Sequence, residues 1–235
     1  MDDSEETLIS HLEALRSMLI KCLTAMGIVL LPMFFVAPWC MDQLIKLMLG
    51  EHEIALNFFS PMEVFILQIK TAVVLDLLVC FPYMARQVWL FILPALYENE
   101  RKFIKSIVLS SSTLFIVGVL FCLFFILPLI IDFGLSFTTQ NVQAVIGIGN
   151  MMSIALWLSV VFGLMFQFPL VTYALICAKI VSYEGIKTKR PYVFVGILIM
   201  SGLLTPPDIV SQLMLTIPTY LLFEAGLFMA RRIKK

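Results

Sequence analysis

Charge is scarce in this sequence, and what there is cancels. Asp, Glu, Lys and Arg make up 14% of the 235 residues, and 16 cations meet 16 anions. A soluble domain carries roughly a quarter of its residues as charges, so this composition argues against a water-solvated chain. Without a basic excess there is nothing to hold nucleic acid. Histidine is rarer still: His11 and His52 are the two. Both lie outside the apolar runs, so an intramembrane Ser–His pair has no histidine to use. H-E-x-x-H, G-x-S-x-G and G-x-x-x-x-G-K-[ST] stretches are absent. Cys22, Cys40, Cys80, Cys122 and Cys177 are scattered without metal or redox spacing, and read as small core hydrophobes. The sequence predicts no catalytic centre, no metal and no cofactor.

What is present is apolar. Hydrophobic residues reach 61% and the mean hydropathy is +1.01, a chain solvated by lipid. The acidic start, MDDSEETLISHLEALR, has no apolar stretch behind a basic one and does not read as a cleavable signal peptide. Leu8, Leu12, Leu15 and Leu19 fall at helical spacing behind Ser4, Glu5 and Glu6, which predicts an amphipathic surface helix over 1–17 running into the first span.

A bilayer core of about 30 Å needs roughly 20 apolar residues per helix. Six runs qualify, at about 18–38, 62–82, 107–131, 151–176, 192–207 and 209–230, in one membrane domain over 1–235. The apolar stretch continues past 82, and Pro82 is expected to bend it so that 83–93 lies near the interface. With six spans, every Lys and Arg except Lys46 and Lys70 falls on one side. The positive-inside rule puts that side, and both termini, in the cytoplasm. The predicted fold is therefore an all-α membrane protein with six transmembrane helices, the fifth and sixth being short. Asp208 is almost the whole connection between those two, behind Pro206 and Pro207. Backbone at so tight a turn needs shelter from lipid, and Asp208 is placed to cap the last helix.

Polar groups at membrane depth are costly and often functional. The candidates are Lys70, Asp76, Gln167 and Glu224, with Glu63 and Asp208 near the outer face. Glu63 and Lys70 are seven residues apart on one helix face and are expected to share an interior cleft. Asp76, Lys70 and Asp208 would suit a secondary transporter of a small solute, the alternative function. On the cytoplasmic side Glu13, Glu98, Glu100 and Glu184 stand against a basic background.

The stretches HLEALRSMLIK, SPMEVFILQIK, FPYMARQVWLFILPALYENERK, FGLMFQFPLV, KRPYVFVG and LLTPPDIVSQLMLTIPTYLLFE resemble, in order and at matching spacing, the motifs of the TatC family. That family comprises receptor subunits of the twin-arginine protein translocase. The resemblance implies a concave six-helix receptor that binds twin-arginine signal peptides. With single-span TatA and TatB partners, and as a homo-oligomer within a larger complex, it would export folded proteins using the proton-motive force. It also implies a signal-peptide site holding Glu100, with Glu98, Glu13 and Arg16 beside it. Three departures stand out. Ala14 occupies the place of the family's first glutamate, with Glu13 one residue before it. Gln167 replaces an intramembrane glutamate, which keeps hydrogen bonding without a titratable charge. Two polar or aromatic family positions are Gln43 and Leu123 here.

Overall fold

In the computed structural model, residues 2–49, 56–92, 101–136, 146–177, 181–204 and 209–231 are described, and they are almost entirely helical. Helix α1 runs unbroken over Asp2–Leu49, through Pro32 and Pro38, so the surface helix and first span are one rod of 48 residues. Helix α2 covers Pro61–Ile92 and α3 covers Arg101–Phe121. A π turn at Cys122–Ile126 joins α3 to α4, Leu127–Leu135. Helices α5 (Ile148–Met165) and α6 (Phe168–Cys177) are two pieces of one span. The short α7 (Tyr183–Thr188) precedes α8 (Arg190–Leu204) and α9 (Ile209–Arg231). Two residues of extended chain, β1 at Leu56–Asn57, pair in parallel with β2 at Ile146–Gly147.

Five stretches of the described chain are long and apolar enough to cross a membrane: His11–Leu49, Pro61–Phe91, Lys105–Leu135, Ile148–Ile176 and Gln212–Met229. The expected fifth span is the shorter apolar helix Arg190–Leu204, about 22 Å long at 1.5 Å per residue. The expected spans 107–131 and 151–176 are not single α-helices. The first contains the π turn and the second breaks at Phe166 and Gln167.

Burial ranks the helices. Most of α5 is enclosed, including Met152, Ala155, Leu158 and Phe162, as expected of a helix apolar all round. Helix α1 is the opposite: Ile28, Leu31 and Phe35 are largely exposed, which suits a face solvated by lipid. Helices α3 and α5 approach closely because each has a glycine in the seam. A Cβ on Gly118 would stand 2.7 Å from the Phe162 carbonyl oxygen, and one on Gly163 would meet the Phe115 ring.

The segment after Pro82 remains part of the same helix and packs into the core. Helix α2 continues through Pro82 to Ile92, and Phe81, Ala85 and Trp89 are buried against Ile107, Phe115 and Leu170. Those three residues repeat every fourth position, so one apolar stripe carries straight past the proline. Phe81 stacks flat on Phe115 at 3.7 Å between centroids. The proline's missing N–H is outweighed by this burial.

Candidate functional site

At the basic end, the His11 ring stacks on Phe91 with centroids 4.5 Å apart. This contact sets the first turns of α1 beside the last turn of α2, just ahead of the segment carrying Glu98 and Glu100. Glu98 and Glu100 themselves fall outside the described residues. Glu13 lies about 200° round the helix from His11 and faces away from α2, whereas Ala14 is only about 60° from that contact face. Glu13, Arg16, Ser17, Ile20 and Lys21 line a shallow open groove along α1. Glu13 and Arg16 are exposed there.

At the other end, Glu63 and Lys70, seven residues apart on α2, both reach helix α5. Glu63 Oε1 accepts the Gly149 N–H at 2.9 Å and its Oε2 accepts the Phe59 N–H at 2.9 Å. Lys70 Nζ donates to Ser153 Oγ at 2.9 Å. Both charged side chains are thus spent on one seam, joining α2 to the start of α5.

Asp76 is 1% exposed. The Cys80 thiol donates to its Oδ1 at 3.4 Å. Gln68, Ala72, Asp76 and Cys80 follow each other at four-residue spacing, and Gln68 Nε2 reaches the Phe34 carbonyl of α1 at 3.2 Å. That places Asp76 in the α1–α2 seam, about 120° round α2 from Lys70. The two have different partners, Ser153 for Lys70 and Cys80 for Asp76. Gln43 and Leu123 do come together. With Thr71 and Ser159 they line an apolar cavity of about 240 Å³ between α1, α2, α3 and α5.

Gln167 occupies the break between α5 and α6. Its own N–H turns to Leu164, three residues back, which strands the Gly163 carbonyl. The side-chain amide takes over: Gln167 Nε2 donates to the Ser111 carbonyl at 3.1 Å and to the Gly163 carbonyl at 3.5 Å. Ser111 Oγ donates in return to Gln167 Oε1 at 2.7 Å. Two carbonyls converging on one group call for a donor, which an amide has and an ionised carboxylate lacks. Ser111 was not a candidate from sequence. Its neighbours Ser112 and Thr113 bond back to Val108 and Leu109, and only the run of hydroxyls at 110–113 inside an apolar span hinted at a cross-helix bond.

Glu224 ties the last two helices together. Arg190 Nη2 donates to Glu224 Oε2 at 2.8 Å and the Tyr220 hydroxyl to Oε1 at 3.0 Å. Asp208 lies outside the described residues, and what is described are bonds on the helices before and after it. Trp157 Nε1 on α5 donates to the Leu204 carbonyl at 2.9 Å, and Gln212 Nε2 to the Leu198 carbonyl at 3.0 Å. The Leu204 carbonyl is one of those that the end of α8 leaves without a partner inside the helix, while the Gln212 bond ties α9 to the body of α8. Helix α9 packs on α6, where Gly226 sits against the backbone of Pro169.

Apolar helices whose polar side chains are spent on one another's backbones define a class: an all-α membrane protein with several long apolar helices. Among the described residues no group of His, Cys, Asp and Glu could hold a metal ion. The particular family follows from comparison. Residues 10–218 match the family described as Sec-independent protein translocase protein (TatC). The chain is 36% identical to TatC of Escherichia coli (strain K12), over 97% of this chain and 90% of that one. It is 32% identical to TatC of Carboxydothermus hydrogenoformans, over 100% and 96%. A crystal structure of the twin-arginine translocase receptor TatC superposes with a TM-score of 0.86 at 30% identity, covering 96% of this chain and 100% of that one. The chain belongs to the TatC family and is a subunit of the Sec-independent, twin-arginine protein translocase.

Proposed function

We propose that this chain is the signal-peptide receptor of its translocase, a six-span protein of the cytoplasmic membrane with both termini inside. It takes the twin-arginine motif at its basic end. Together with TatA- and TatB-type single-span subunits and further copies of itself, it moves folded proteins outward at the expense of the proton-motive force. Its work is binding and movement, with no covalent step.

One observation carries the reading: the His11–Phe91 stack joins the N-terminal helix to the end of α2. The stack holds HLEALR beside the last turn of α2, and this supports a site shared by the stretch that resembles the family's first motif and the one that leads to Glu98 and Glu100. A carboxylate there meets the motif's guanidinium through paired, charge-assisted hydrogen bonds that a lysine cannot reproduce. Glu100 is the principal partner and Glu98 its neighbour. Glu13, turned away from α2, contributes less, and Arg16 flanks the same open groove. Asp208 serves the outer mouth, where partner helices meet the chain.

The test is twin-arginine peptide affinity for the purified protein at two salt concentrations. Glu100→Gln should weaken binding roughly 10- to 100-fold, the range of one charge-assisted bond. The loss should shrink at high salt. Parent-like binding by that variant would remove Glu100 from the site.

A further inference from the structure

Helix α5 begins without a cap of its own: its N-cap is Gly147, which makes no side-chain bond. The first N–H groups of a helix need acceptors, and a carboxylate is the best complement to that end of the dipole. Here the acceptor comes from another helix. Glu63, in the first turn of α2, reaches across to the Gly149 N–H and holds the Phe59 N–H with its second oxygen. The match is specific to glycine, because a Cβ at position 149 would land on the Glu63 carboxylate. Two further contacts close the same seam. The strand pair Leu56–Asn57 with Ile146–Gly147 precedes it, and Lys70 donates to Ser153 one turn beyond Gly149.

We propose that Glu63 is a positioning residue for transport: a carboxylate on α2 that caps α5 and so fixes the outer end of the α5–α6 span. The same span carries the Gln167 break, the Trp157 bond to the end of α8 and the Gly163 seam with α3. A shift at its start therefore reaches each of those helices. The site of action is at the end of α2 opposite Phe91, so recognition of the signal peptide does not depend on it. The export part of the test rests on the translocase reading, whereas the capping part does not.

The experiment uses the full chain with its partner subunits in membranes, comparing Glu63→Ala, Glu63→Gln, Gly149→Ala and the pair Gly149→Ala with Glu63→Asp. Three quantities are read: hydrogen exchange over residues 146–152, twin-arginine peptide binding, and export of a folded reporter. In Glu63→Ala, exchange over that segment should rise roughly tenfold or more, as expected when a charge-assisted bond is lost. Exchange in α9 and peptide binding should hold at parent values while export falls. Glu63→Gln has one oxygen for two N–H groups and should be intermediate. Gly149→Ala should copy Glu63→Ala, and the shorter acid of the double variant should recover part of both exchange protection and export. Unchanged exchange at 146–152 in Glu63→Ala overturns the cap. Faster exchange with parent-level export overturns the role in transport. If Glu63→Ala does not accumulate, Glu63→Gln and the Gly149 pair decide by the same readings. Failure of the parent to bind the peptide would count against the receptor reading alone, because the exchange measurement still judges the cap.

Discussion

Gln68 donates from α2 to the carbonyl of Phe34 on α1, 3.2 Å away. That carbonyl is available because the residue four places on is Pro38, which has no N–H to offer it. A proline that opens a helix and a glutamine that closes the gap from a neighbour form one unit. In hydrocarbon no water can take the glutamine's place.

The pair predicts a specific non-additivity. Gln68→Leu strands the Phe34 carbonyl and should cost about 1–3 kcal/mol. Pro38→Ala returns an N–H to that carbonyl, so in the Pro38→Ala background the same Gln68→Leu change should cost far less. Thermal unfolding of the four proteins in one detergent measures this. Equal costs in both backgrounds would disprove the link.

The Gln167 amide serves two carbonyls, Ser111 and Gly163, and accepts one hydroxyl. Gln167→Leu removes every one of these bonds and should lose about 1–3 kcal/mol. Gln167→Glu can supply a single donor when protonated, and should fall between leucine and the parent. Ser111→Ala removes only the hydroxyl and should cost about 0.5–1.5 kcal/mol. Stability and export should follow the order parent, Ser111→Ala, Gln167→Glu, Gln167→Leu. Parent-like Gln167→Leu would reduce the position to packing.

Helix α9 should be intolerant of any side chain at Gly226. A Cβ there would stand 2.5 Å from the Cα and 2.7 Å from the carbonyl oxygen of Pro169, both backbone atoms that cannot rotate aside. Gly226→Ala should cost about 1–3 kcal/mol, typical of overpacking. Gly196, with nothing within 4 Å of a Cβ, is the control and should accept alanine without loss. Membrane accumulation and melting temperature compare the two.

Much of this architecture was legible in the sequence because lipid demands long apolar runs, and these mark α1, α2, α3–α4, α5–α6, α8 and α9. What misled was reading residues one at a time. Pro82 draws attention to a bend, whereas what organises the segment is the stripe of Phe81, Ala85 and Trp89 that continues past it. Glu63 and Lys70 suggest a cleft, but their partners, Gly149 and Ser153, lie more than eighty positions away. Sequence periodicity reports which face of a helix is apolar. It does not report which carbonyl has lost its own hydrogen bond, and Gln68, Gln167 and Trp157 are placed by that.

The π turn at Cys122–Ile126 separates length from phase in the third span. A wide turn takes up about one residue more than an α turn, while the side chains before and after it keep their faces. The Leu127 N–H closes it on the Cys122 carbonyl, and Pro128, which has no N–H to offer the turn before it, follows directly in α4. Removing one residue within 122–126 should give back an ordinary helix with the Gly118 seam and the far end still correctly aimed. The same deletion at 112–116 would turn everything beyond it by about 100°. In this span a change of chain length has one natural place to occur, and the protein already holds one extra residue there.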